Sequence, residues 1–252
     1  MHKDYVVIDL EMTGLNAKID KILEVAAVRV RDGREEAVFS KIVNPGAPLS
    51  EKVMELTGIT QEDADAGAPL DETLQAFLEF LGDDVIVGQN VIFDYSFLKQ
   101  WAVNHKISLE KQAVDTLKLA RTFLPPEQKK DLESLCAYFE IERKNAHRAL
   151  DDARETMQIF EKLKVLYGEA QPECFAPKPL LYKAKKQSPA TERQKQYLKK
   201  FALYHGIELS TLATSMTKSE ASRLTDQLIA KYGKMNTKEE EKETTLYRCN
   251  LW

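Results

Sequence analysis

Tyr5-Val6-Val7-Ile8-Asp9-Leu10-Glu11-Met12-Thr13-Gly14-Leu15 begins as a run of β-branched and aromatic residues, the composition of a buried strand, and then breaks that pattern with two carboxylates. Residues i and i+2 of a strand share a face, so Asp9 and Glu11 point the same way. Two like charges that close repel, and burying them is costly unless a cation lies between them. Oxygen ligands alone favour Mg²⁺ or Mn²⁺ over Zn²⁺. An Asp-x-Glu pair by itself is weak evidence, since most such pairs are solvated surface residues. Gly14 allows a tight turn and a close approach of the backbone to a ligand.

Outward from this strand, residues 22–30 and 36–43 read as two more strands joined at Asp32-Gly33, a tight-turn pair. Residues 50–56 form a short helix with Ser50 as N-cap. Residues 71–81 carry Leu74, Phe77, Leu78 and Leu81 at helical spacing. Val85-Ile86-Val87 is a short buried strand, Gly88-Gln89-Asn90 the turn after it, and residues 93–103 a helix. Helices follow over 115–124 (stopped by Pro125-Pro126), 131–139 and 149–167. Strands interleaved with helices predict an α/β domain over residues 1–170. Residues 171–189, rich in proline and lysine, are expected to be a semi-extended linker. Residues 190–233 form a small helical module, because Thr191-Glu192-Arg193-Gln194 and Thr217-Lys218-Ser219-Glu220 are capping-box patterns. Residues 234–252 are polar and expected to be disordered.

Composition narrows the class. There is no stretch of 18 uncharged apolar residues and no secretory-type leader at the N-terminus, so a soluble protein without a membrane partner is expected. Cys136, Cys174 and Cys249 are widely spaced and form neither a zinc-ligand pair nor a disulfide framework, which fits a cytoplasmic location. Residues 1–175 hold 21 Lys and Arg against 32 Asp and Glu, a net −11, whereas residues 176–252 hold 15 against 8, a net +7. An acidic body repels nucleic acid unless metal ions or a local basic patch offset it. Arg193, Lys195, Lys199 and Lys200 are candidates for such a patch, and an ordinary solvated helix face accounts for them equally simply.

Two further pieces carry chemistry. In Gly88-Gln89-Asn90-Val91-Ile92-Phe93-Asp94, Asp94 stands at a strand-to-helix junction, where it is either an anion at a helix N-terminus or a third metal carboxylate. Phe97 reads as core, and Phe93 as core or as a surface for stacking a base. In Ala146-His147-Arg148-Ala149-Leu150-Asp151-Asp152-Ala153, His147 and Asp152 would lie about 140° apart on a helix. They can meet only if the histidine precedes the helix proper. Geometry alone does not choose between Asp151 and Asp152.

Together, Asp9-x-Glu11, Asn90-x-x-x-Asp94 and His147-x-x-x-x-Asp152 resemble the DEDDh exonucleases, the 3′→5′ exonucleases that include bacterial DNA polymerase III proofreading subunits. The resemblance spans about residues 4–168 and includes Val43-Asn44-Pro45-Gly46 and Glu55-Leu56-Thr57-Gly58-Ile59. Asp9-Leu10-Glu11-Met12-Thr13-Gly14-Leu15 and His147-Arg148-Ala149-Leu150-Asp151-Asp152 also resemble the oligoribonuclease branch. The resemblance implies a ribonuclease H-like fold, a mixed sheet flanked by helices. It implies that Asp9, Glu11, Asp94 and Asp152 hold two divalent ions, Mg²⁺ or Mn²⁺, with His147 as general base. The family aspartate precedes an alanine, which selects Asp152 because Ala153 follows it. Met12, Thr13, Gly14, Leu15, Asn90 and Phe93 would contact the substrate, the first four as a grip of backbone amides and an apolar wedge. Asp115 would support the site from outside the metal ligands, and Glu24 would be structural.

The implied reaction is hydrolysis at the 3′ end of single-stranded or mismatched DNA with release of 5′-mononucleotides. RNA-directed cleavage and a role as accessory subunit of a DNA polymerase are the alternatives. The chain departs from the family at Gln89, where many members have histidine, and at Met12, where proofreading members often have threonine. Gln89 still hydrogen-bonds, so it should alter packing rather than remove a ligand.

Overall fold

The computed structural model describes residues 3–143, 146–207 and 216–235. The chain divides into two compact units after Lys186. The first unit is built on a six-stranded mixed sheet of β1 (Tyr5–Met12), β2 (Ile22–Arg31), β3 (Arg34–Ile42), β4 (Ile86–Gly88), β5 (Gln112–Asp115) and β6 (Lys178–Pro179), in the order β3-β2-β1-β4-β5-β6. β1, β2 and β3 pair antiparallel, β4 and β5 run parallel to β1, and β6 returns antiparallel. Asp32 and Gly33 both have positive φ, 49° and 76°, and join β2 to β3 as a two-residue turn whose twist matches its strands.

Seven helices among the described residues cover the sheet: α1 (Glu51–Thr57), α2 (Gln61–Asp65), α3 (Leu70–Leu81), α4 (Ile92–His105), α5 (Thr116–Phe123), α6 (Leu132–Tyr138) and α7 (Ala149–Tyr167). The alternation of β1 sorts them into two layers. Val6, Ile8 and Leu10 share one core with Phe77, Tyr95 and Trp101 of α3 and α4. Tyr5 and Val7 share the other with Leu119, Leu135, Phe160 and Leu163 of α5, α6 and α7. Odd-numbered positions of β1 therefore face α7, and Asp9 and Glu11 are the next two such positions. Phe160 carries much of this second layer: it is fully buried and meets Tyr5 edge-on with ring centroids 5.0 Å apart. Phe160→Ala should cost about 3–5 kcal/mol of unfolding free energy, read from the shift in a urea or guanidinium midpoint at unchanged slope.

The mixed sheet flanked by helices is the architecture that the sequence implies, but three segments differ from expectation. α2 was not anticipated; Thr60 and Asp63 cap it with a complete capping box, and at five residues it is too short to show a period. β5 has only two apolar residues between Gln112 and Asp115, too few for a pattern. The third segment is residues 171–189, expected as a semi-extended linker, whose first part packs on the first unit. Pro172–Phe175 forms a 3-10 turn and Phe175 is buried in the α7-side core. Leu180 donates its N–H to Lys111 O at 2.9 Å and is buried in the other core, and Gln100 Nε2 donates to Lys185 O at 2.9 Å. Prolines suit this path because Pro179 lies on an edge strand, where a missing N–H leaves no ladder bond unmade.

The second unit contains α8 (Glu192–His205) and α9 (Lys218–Tyr232), each starting at a complete capping box, Thr191 with Gln194 and Thr217 with Glu220. Leu198, Phe201, Ala221 and Leu228 form its core. Lys199 and Lys200 are exposed. Of the expected disordered tail, residues 236–252 lie outside the described residues. No helix among the described residues is long and apolar enough to cross a membrane.

Candidate active site

Asp9 and Glu11 reach the α7 side of the sheet through the alternation of β1. Asp94 arrives from the first turn of α4, the helix that follows the neighbouring strand. β4 runs parallel to β1, ends at Gly88, and the chain turns through Gln89 and Asn90 (φ 56°) into α4. Even-numbered N–H groups of β1 point toward β4, as the Val6 N–H bond to Val85 O at 2.9 Å shows. Beyond the end of β4 the Leu10 N–H would lack a partner on that side, and Asp94 Oδ1 accepts it at 3.1 Å. The buried Asp94 is thereby fixed beside the Asp9–Glu11 segment.

Asp152 lies in the first turn of α7, on its buried side. His147 precedes the helix with φ 60°, so the 140° separation that a continuous helix would impose does not arise. One ligand atom each from Glu11, His147 and Asp152 all lie within 4.8 Å of one another. Asp152, and not Asp151, is the aspartate that joins this group.

The electrostatics follow from crowding. Burial, then Asp94, Glu11, Asp152 and Glu24 in turn, hold the Asp9 carboxyl well above the usual carboxylate range. Burial and the charges of Asp152, Glu24 and Asp94 push Glu11 up to about 8, against the pull of Arg148. Burial pushes Asp94 up to about 7, although backbone amides, including that of Leu10, hold it down. Burial also raises Asp152, with Arg143 and His147 opposing. Carboxylates that resist ionising together are a donor set suited to a hard divalent cation, whose charge would relieve all of them at once.

The supporting residues are placed as follows. Asp115 caps α5 by accepting from Leu117 N–H and holds the Asn90 turn by accepting from Asn90 N–H, both at 3.0 Å. Gln89 donates to Lys130 O at 2.7 Å and accepts from the Thr116 hydroxyl at 2.5 Å, so it is an internal hydrogen-bonding residue. Asn90 is exposed and Phe93 is half-buried, edge-on to Phe97.

Within the Met12-Thr13-Gly14-Leu15 segment, Thr13 is engaged with its own loop. Thr13 N–H is committed to Lys21 O at 2.9 Å, and its hydroxyl accepts from Lys21 N–H at 2.9 Å, so Thr13 closes its own loop. A Cβ on Gly14 would lie 2.5 Å from the Asp20 carboxyl, so a side chain there would push the Asp20 side chain aside. Leu15 is 84% exposed and available as an apolar wedge.

Four charged residues escaped the sequence reading or its site: Arg143, Glu155, Arg148 and Glu24. Arg143 pairs with Asp152 and Glu155 at 2.8 Å each. Arg148 pairs with Glu24 at 3.0 Å. The only local signal was Glu24 itself, a carboxylate inside the apolar run Ile22-Leu23-Glu24-Val25-Ala26-Ala27.

Residues 6–160 match a family model, RNase T, described as "Exonuclease". The chain belongs to that exonuclease family. Among curated relatives of this exonuclease chain, the DNA polymerase III PolC-type protein of Clostridium perfringens is 38% identical over 165 residues, 64% of this chain and 11% of the relative. The PolC-type protein of Bacillus subtilis is 38% identical over 162 residues, 63% of this chain and again 11% of the relative. The match therefore spans about a ninth of the length of these relatives. Among solved structures, the nuclease domain of 3′hExo, a DEDDh family member bound to rAMP, superposes with a TM-score of 0.58 at 20% identity, covering 70% of this chain and 96% of that one. Exonuclease X in complex with 5′-overhanging duplex DNA superposes with a TM-score of 0.54 at 24% identity, covering 68% and 99%. These two share the fold with this exonuclease.

Proposed function

We propose that this exonuclease is a divalent-metal-dependent 3′→5′ enzyme that hydrolyses the terminal phosphodiester of single-stranded or mismatched DNA and releases 5′-mononucleotides. The observation that carries the reading is the meeting of Asp9, Glu11, Asp94 and Asp152, from three separate elements, with His147 beside Glu11 and Asp152. DNA is preferred to RNA because the relatives at 38% identity are DNA polymerases. By the same similarity, the activity would serve a polymerase.

Asp9, Glu11, Asp94 and Asp152 would hold two cations, Mg²⁺ or Mn²⁺, which when bound would offset the phosphate charge and favour departure of the 3′ oxygen. His147 accepts a proton from the attacking water as its oxygen bonds to phosphorus and the bond to the 3′ oxygen breaks. Leu15 packs against the terminal base and favours a frayed or single-stranded end, and Thr13 keeps that loop closed through Lys21. Asp115 holds the Asn90 turn and, through it, the start of α4 from which Asp94 projects.

The deciding experiment is digestion of 5′-labelled and 3′-labelled single-stranded DNA, mismatched duplex and RNA, each with Mg²⁺, Mn²⁺ or chelator. A ladder shortening from the 3′ end of DNA is expected, and none with chelator; shortening from the 5′ end would end the reading. His147→Ala should lower kcat about 10²–10⁴-fold with little change in metal affinity, checked by single-turnover kinetics and Mn²⁺ calorimetry.

A further inference from the structure

We propose that the Arg148–Glu24 ion pair is a positioning device for His147, on which the proposed hydrolysis depends although neither side chain serves as a metal ligand or base. The inference rests on the reading of His147 as general base.

Glu24 is the third residue of β2, is 1% exposed, and stands opposite Glu11 in the register of β1 with β2. A carboxylate there is expensive: it is buried and adds its charge to that of Glu11. For packing alone an apolar side chain would serve as well or better. What the carboxylate does is accept three hydrogen bonds from residues more than 120 positions away. Arg148 Nε donates at 3.2 Å, Arg148 Nη2 at 3.0 Å and the Ala149 N–H at 3.0 Å.

Those donors follow His147 directly. Arg148 is the N-cap residue of α7 and makes no side-chain cap, so Glu24 performs the capping from another strand. His147 itself holds φ 60°, a left-handed conformation that is unfavourable for an L-residue and persists when its surroundings impose it. The two-pronged Arg148 contact fixes direction as well as distance, which a lysine ammonium cannot reproduce. Because β2 is hydrogen-bonded to β1, the pair references the histidine turn to the strand that carries Asp9 and Glu11.

Arg148→Ala and Arg148→Lys test this, since the Arg148 side chain is 42% exposed and the Ala149 bond to Glu24 survives in both. Arg148→Ala should lower kcat by about 10- to 100-fold with KM within about threefold. Arg148→Lys should fall between it and the parent, and Mn²⁺ affinity by calorimetry should be unchanged in both. In a His147→Ala background, Arg148→Ala should lower kcat no further, because there is no base left to position. Full turnover by Arg148→Ala while His147→Ala is inactive would overturn the inference and leave the base reading intact. An equal loss in the two backgrounds, or weakened Mn²⁺ binding, would also overturn it by assigning Arg148 a role apart from His147. Normal turnover by His147→Ala would remove the base reading and this inference with it.

Discussion

Asp9→Asn is expected to eliminate nucleotide release while leaving the protein folded and, without metal, more stable than the parent. The substitution keeps the shape of the side chain and removes one negative charge. That charge sits among Asp94, Glu11, Asp152 and Glu24, and the raised Asp9 carboxyl shows how unwelcome it is without a cation. Removing it relieves repulsion in the metal-free state and deprives the cations of a ligand when they bind. We expect kcat to fall by at least about 10³-fold, the scale seen when one member of a catalytic group acting as a unit is lost. Melting in chelator should rise, and the stabilisation added by saturating Mn²⁺ should shrink. Activity assays and paired melting curves with and without Mn²⁺ check both halves. Parent-like turnover would remove the site from consideration, and a lower melting temperature in chelator would mean that Asp9 is a structural hydrogen-bonding residue.

The second large effect is on stability against pH. Glu11 and Asp94 titrate near 8 and 7 in the folded chain, against ordinary values of 4.5 and 3.8. Each carboxyl therefore binds its proton more tightly when folded. Their contribution is complete below about pH 4 and is lost as pH rises through about 7 and 8. Glu35, Asp63 and Asp131 are shifted the other way, by Arg154, Thr60 and Ser134 respectively, so their contribution is lost only in acid, below the ordinary carboxylate range. The two windows barely overlap. In chelator the melting temperature should drop between pH 5.5 and 8.5 by about 5 °C or more. Saturating Mn²⁺ should recover more at pH 8.5 than at pH 5.5, because binding displaces protons only where protons remain. Differential scanning calorimetry across that range decides it, and a flat profile in chelator would count against a crowded, cation-seeking cluster.

Much of the architecture was readable because its signals are local. The β-branched run at Tyr5, the Asp32-Gly33 turn, the Ser50 and Thr191 caps and the span of α7 each depend on residues within a few positions of one another. β5 and β6 were not readable, since four and two residues cannot establish a period and their membership in the sheet is decided by Val87 and Ala113 across the ladder. The site divides along the same line. Asp9 and Glu11 stand out because they interrupt an apolar strand. Asp152 could not be chosen over Asp151 by periodicity, since the choice depends on His147 leaving the helix in a left-handed turn. Arg148 was invisible as a partner of Glu24, because 124 residues separate them and only the packing of α7 on β2 brings them together.

The short return of Lys178–Pro179 along β5 has a practical consequence for anyone trimming this gene. Cutting after residue 170, where the composition invites it, would strip the β5 flank and leave its amide row open to any passing strand, a route to self-association. A truncated nuclease should keep everything through Lys186, so that the last proline-bearing ribbon still seals that border.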